Sequence, residues 1–154
     1  MKETLDNAIT ELKRVDHLFY VSLKYTRTAD MMKHMIERLI STFSYGIEAL
    51  LKKAKEEKKI SSIPDNIGLR CKLLRDTFND PELTNFLNFY VRLRKIQRAK
   101  HTSREEYRRH VTMTVTIDNG EVAEVNIDIL KEYYETAKDF IRYARRMIHG
   151  EEEL

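Results

Sequence analysis

Proline and glycine are scarce in this chain, which has two Pro and four Gly among 154 residues. Elements that few breakers interrupt run long. Cysteine occurs once, at Cys71, which excludes an internal disulfide and any multi-cysteine zinc site and suits a reducing, cytosolic setting. No apolar run approaches the ~20 residues needed to cross a bilayer. The start, Met1-Lys2-Glu3-Thr4-Leu5-Asp6, is charged where a signal peptide needs an apolar stretch. A cytoplasmic protein without a membrane span is therefore expected. Gly-rich phosphate loops, His-Glu-x-x-His and Gly-x-Ser-x-Gly are all missing, so no metal site and no cofactor is expected.

What is present is a chain that is 42% hydrophobic and 34% charged. It is too apolar to be disordered and long enough to bury roughly two-thirds of its unfolded surface as one domain over residues 1–154. The apolar residues Leu5, Ala8, Ile9, Leu12, Val15 and Phe19 recur at helical spacing, predicting a first helix from about Leu5 to Tyr25. A second, capped at Thr28 or Asp30, carries Met32, Met35, Ile36, Leu39, Phe43, Ile47 and Leu50 towards Lys58, with charged last turns expected to project beyond the core. Ser61 to Asn66 reads as a loop, followed by a shorter helix with Leu69, Leu73, Leu74 and Phe78 on its apolar face. Asp80-Pro81-Glu82 is a strong helix start, and the helix it opens is expected to reach about His101. Ser103-Arg104-Glu105-Glu106 fits a capping box and predicts a short helical turn.

The period then changes from 3.6 to 2. Val111, Met113, Val115 and Ile117 alternate with threonines, and Glu121 to Ile127 returns after Asp118-Asn119-Gly120, a hairpin over about residues 110–127. A two-residue turn would set Val115 against Glu124, whereas a three-residue loop sets Val115 against Ala123, Met113 against Val125 and Val111 against Ile127. Only the second puts apolar side chains on one face, with Gly120 left-handed in a bulged turn. Asp128 is expected to cap a last helix that Gly150 ends. The fold class is mostly α: an antiparallel four- or five-helix bundle with one β-hairpin inserted before the last helix.

Charge is unevenly placed. From Arg92 to His110 the chain carries eight Lys/Arg (Arg92, Arg94, Lys95, Arg98, Lys100, Arg104, Arg108 and Arg109) against Glu105 and Glu106. Segregation of this kind points to an anionic partner such as RNA or a nucleotide. Ion pairing of a solvated helix face to Glu105 and Glu106 is the plainer reading. Two histidines, His101 and His110, lie in the same stretch. Arg94 and His101 are nearly two helical turns apart, so a continuous helix would present both on one side. An imidazole that moves protons beside a guanidinium that holds phosphate suits metal-free RNA cleavage. His17 and His34 read as ordinary surface or boundary residues, the Met31–Met35 cluster as core filler, and Cys71 as a buried, inert thiol.

The order of helices, the phrase Phe43-Ser44-Tyr45-Gly46-Ile47-Glu48-Ala49-Leu50-Leu51-Lys52, and Arg94-x6-His101 before the last helix resemble a HEPN domain. The resemblance spans roughly Leu5 to Ile148 apart from the hairpin. It implies a homodimeric bundle, a metal-independent endoribonuclease of the toxin–antitoxin kind, and a possible cognate protein partner. Carried onto this chain, it makes His101 the proton-transfer group, Arg94 the phosphate clamp and Glu48 their support, with His110 in reserve. The sequence departs from active members at Lys95, where a polar Asn, Asp or His usually follows the Arg. Arg104-x5-His110 and Arg142-x6-His149 also satisfy the short motif. The opposing expectation is a non-catalytic dimerisation or protein-interaction module.

Overall fold

A computed structural model describes residues 2–22, 27–106, 111–117 and 120–150. Five α-helices and three short strands follow one another as α1 (Lys2–His17), α2 (Ala29–Glu56), α3 (Ile67–Phe78), α4 (Pro81–Arg98), β1 (Lys100–Arg104), β2 (Thr112–Thr116), β3 (Val122–Asn126) and α5 (Ile127–His149). The mostly helical class with a hairpin before the last helix is what the pattern predicts. No helix of the described residues is long and apolar enough to cross a membrane.

The longest helix, α2, is central because its apolar residues cover most of its circumference. Met32, Met35, Ile36, Leu39, Phe43, Leu50 and Leu51 are all fully buried. α1 runs antiparallel along it, as Lys52 Nζ donating to Thr4 Oγ1 near one end and Arg38 reaching Glu11 further along require. On the opposite side Phe43 stacks on Phe140 of α5 at 4.6 Å and on Tyr90 of α4 at 6.0 Å. The approach of Phe140 explains Gly46. A Cβ at that position would lie 2.5 Å from Phe140 Cε2, so the helix gives up ~1 kcal/mol of propensity for close packing. Leu51 and Ala54 are buried, so the last turns of α2 are covered on their apolar side rather than projecting freely.

The caps carry the boundaries. Thr28 Oγ1 accepts from the Met31 amide and opens α2, and Asp80 Oδ1 accepts from the Glu82 amide and opens α4 with Pro81 in the first turn. α5 is capped by Asn126, whose Oδ1 accepts from the Ile129 amide, so Asp128 stands in the first turn and is not the cap. Gly150, at φ +84°, follows the helix as expected. On α3 the apolar face is rotated from the expected one: Cys71 and Leu74 are buried, and Leu69 is exposed. α1 stops at His17 and widens into a π-helical turn, Leu18–Ser22; residues 23–25 of the expected helix lie outside the described residues.

The strands form one antiparallel sheet in the order β1-β2-β3. Met113 pairs with Val125 and Val115 with Ala123, the register of the three-residue loop. The Ile117 amide donates to the Glu121 carbonyl and Gly120 has φ +77°, as a bulged turn requires, while Asp118 and Asn119 lie outside the described residues. β1 replaces two expected elements. α4 ends at Arg98 because Ala99 turns extended (φ −75°, ψ 152°), and Lys100–Arg104 then pairs along β2. The expected helix to His101 and the helical turn at Ser103 are both absent: backbone pairing with β2 wins over helix propagation.

Candidate functional site

The apolar residues of α4 that face the core are Leu83, Phe86, Leu87, Tyr90, Leu93 and Ile96. Their spacing leaves Val91, Arg94 and Arg98 on a separate stripe, since residues three, four and seven apart share a helix face. That stripe meets the start of α3. Asp65, Asn66, Ile67, Gly68 and Cys71 on one side and Val91, Arg94 and Arg98 on the other line an open cleft of about 450 Å³.

Arg94 is seated by an aromatic ring. Its guanidinium carbon is 5.8 Å from the ring centroid of Tyr90, which is buried and whose hydroxyl is 2.9 Å from Ser44 Oγ. Neither Arg94 nor Arg98 makes an ion pair among the described residues, and both keep their N–H donors for the cleft. Facing them is the first turn of α3, where amide groups have no partner within the helix and the helix dipole adds positive potential. Asn66 Oδ1 takes up one of these amides, that of Leu69, at 3.0 Å. Asp65 is the one carboxylate in the lining, set against two guanidiniums. The same field reaches Cys71: burial pushes its thiol pKa up, and Arg75 and Arg94 act in the opposite direction. The thiol is 1% exposed, so the inert reading of Cys71 holds for direct solvent attack.

The expected catalytic group does not form a contact network. Arg94 lies on α4 and His101 on β1, beyond the break at Ala99, so the helix that was to align them is not continuous. His101 is half-buried and pairs with Val115, whose side chain is on the face of the sheet turned to the core. Glu48, on α2, lies 3.6 Å from Lys52 Nζ in an i,i+4 ion pair. No hydrogen bond, ion pair or ring contact joins these three among the described residues. Of the remaining basic residues, Arg92 pairs with Glu121 at 2.9 Å and Arg104 with Glu124 at 3.3 Å, both on the surface. Lys95 is half-buried and Lys100 exposed. Arg108, Arg109 and His110 lie outside the described residues. Glu106 Oε1 accepts from the Ala29 amide at 3.1 Å and so helps to cap α2, while its expected pairing to Arg108 and Arg109 lies outside the described residues.

A second basic cluster escaped the sequence reading. Lys13, Arg14 and His17 of α1 and His34 and Arg38 of α2 surround an open cavity of about 370 Å³. Lys13 and His17, and likewise His34 and Arg38, are four residues apart on their helices. Only the antiparallel pairing of the helices brings the two sets together. Among the described residues no group of three or more His, Cys, Asp or Glu converges as a metal ion would need. Comparison with protein-family models, with curated proteins and with solved structures gave no match to this chain.

Proposed function

We propose that this protein binds RNA or another phosphate-bearing ligand through the cleft between α3 and α4. The observation that carries the reading is the pair of guanidiniums, Arg94 and Arg98, one helical turn apart, without carboxylate partners among the described residues and facing the open first turn of α3. A phosphate there would take bidentate bonds from arginine and meet the positive end of a helix. Lys100, exposed and without an ion pair among the described residues, extends the positive potential beyond the cleft. The resemblance to HEPN domains points to the same class of ligand.

The proposal is for binding, which needs only the cleft; within one chain Arg94, His101 and Glu48 make no contact with one another. Anisotropy of a labelled single-stranded RNA, titrated at several salt concentrations, tests it. Binding should weaken as salt rises, with a slope of about −0.7 per phosphate contacted. Arg94→Ala with Arg98→Ala should cost about tenfold or more and reduce that slope. Binding that is absent at low salt, or unchanged in the double variant, overturns the reading. RNA cleavage in EDTA that is lost in both His101→Ala and Arg94→Ala would add catalysis to it.

A further inference from the structure

We propose that the groove between α1 and α2 is a separate phosphate-binding site, built from Lys13, Arg14, His17, His34 and Arg38 around a buried carboxylate. The carboxylate is Glu11, which is 6% exposed in the helix interface. It is divided between two arginines: Oε1 accepts from Arg14 Nη1 at 2.7 Å, and Oε2 lies 3.4 Å from Arg38 Nη1. One carboxylate thus holds two guanidiniums from different helices side by side, each by a single nitrogen. Their other donors have no partner among the described residues, so the pair is positioned but not used up.

The remaining lining groups contribute donors and little to the fold. Lys13 and His17 are exposed and make no ion pair or hydrogen bond among the described residues. His34 Nδ1 is 3.8 Å from Glu37 Oε2, too long for a hydrogen bond, and its other ring nitrogen has no partner among the described residues. Glu11 is shared by Arg14 and Arg38, Glu37 lies beside His34, and Asp16, also on α1, accepts from the Tyr134 hydroxyl at 2.6 Å. No carboxylate is among the described residues that line the cavity, whereas Lys13, Arg14 and Arg38 are.

A structural tie between α1 and α2 needs Glu11 and Arg38 alone. It does not explain the four further cationic or imidazole groups, Lys13, Arg14, His17 and His34, gathered at a cost in self-repulsion. An oxyanion with several acceptor oxygens relieves that repulsion. A phosphate can accept from two guanidiniums, an ammonium and an imidazole N–H together, because its oxygens point in different directions. The cavity, at about 370 Å³, has room for a phosphate and part of the group that carries it. The π-helical turn that begins at Leu18, in the lining, sets the end of α1 at the groove; turns of this kind recur at functional sites.

The test is a pair of NMR titrations of the whole protein at low salt, one with sodium pyrophosphate and one with a short uridine oligonucleotide, reading the ring signals of His17 and His34. Saturable shifts of both histidines are expected. Shifts with pyrophosphate identify a free phosphate or nucleotide as the source, and shifts with the oligonucleotide alone identify a nucleic-acid backbone. Lys13→Ala with His17→Ala, both exposed, should weaken the binding read at His34 about tenfold while leaving the thermal transition in place. Arg94→Ala with Arg98→Ala should leave it unchanged, which separates this site from the cleft at α3. If neither ligand moves His17 or His34, or if affinity at His34 is undiminished in Lys13→Ala/His17→Ala, the proposal is wrong.

Discussion

Two pairs of arginines in this molecule are held in different ways. Arg14 and Arg38 share a buried carboxylate between α1 and α2, whereas Arg94 rests on the ring of Tyr90 and Arg98 beside it has no carboxylate partner among the described residues. Both arrangements reduce the side-chain freedom that binding would otherwise have to remove. They differ in what else depends on them. In the groove the holding group lies in the interface between two core helices, so positioning and stability are linked. At the α3–α4 cleft the holding group is an aromatic ring that stays packed without the arginine. Removing charge from the two places should therefore read out differently.

The largest effect is expected at Glu11. Glu11→Ala leaves two cations in the α1–α2 interface without their carboxylate. Because Arg14 and Arg38 are partly exposed, the cost should fall below the 3–5 kcal/mol typical of a fully buried pair, at about 2 kcal/mol. Arg98→Ala, in an exposed position, should change stability by less than ~0.5 kcal/mol. Urea midpoints at unchanged m-values measure both. Equal losses in the two variants would erase the distinction between the two sites.

A smaller effect tests the supports behind the two regions, each of which has a tyrosine bonded to an aspartate. Tyr134 donates to Asp16 on α1 at 2.6 Å, and Tyr143 donates to Asp80 at the start of α4 at 2.7 Å. Burial, and then the accepting aspartate, push both phenol pKa values up from the ordinary value of about 10. The folded state thus holds these protons more tightly than the unfolded chain. Their stabilisation is complete below about pH 10 and is lost as pH rises from there towards the raised folded values. Urea midpoints should fall over that range, and Tyr143→Phe should remove its share of the fall while losing a hydrogen bond at neutral pH. A profile that is flat above pH ~10 would contradict the assignment.

Much of this was readable in the sequence where side-chain pattern and backbone pairing agree. The Met113–Val125 register followed from keeping apolar residues on one face, and Asp80-Pro81 marked its helix start correctly. β1 was not readable, because Lys-His-Thr-Ser-Arg has no apolar alternation and Ser103 to Glu106 imitates a capping box. Glu106 does act as a cap, but for Ala29, across 77 residues of sequence. Arg94 is legible as a candidate, but the cleft that its stripe lines with the start of α3 is not. The groove at Glu11 was hidden for a related reason. His17 and His34 look like isolated surface residues until α1 and α2 are laid antiparallel. Local patterns give elements; which charges share a cavity depends on packing between them.

The smallest expected effect concerns the edge of the basic segment. Arg92 and Glu121 form an ion pair at 2.9 Å with both side chains about half exposed, the kind of contact that contributes ~0.5 kcal/mol or less. Glu121→Ala should therefore hardly move the urea midpoint, although it raises the net positive charge next to α4. If the α3–α4 cleft binds RNA, the same change should tighten low-salt binding severalfold by releasing Arg92 and removing a competing carboxylate, mainly through a faster association rate. In the α1–α2 groove the corresponding change, loss of Glu11, should weaken binding instead, because there the carboxylate positions the arginines rather than competing for them. Opposite signs on affinity for two Glu→Ala changes are the sharpest form of the contrast. The same sign in both would mean that net charge alone governs binding.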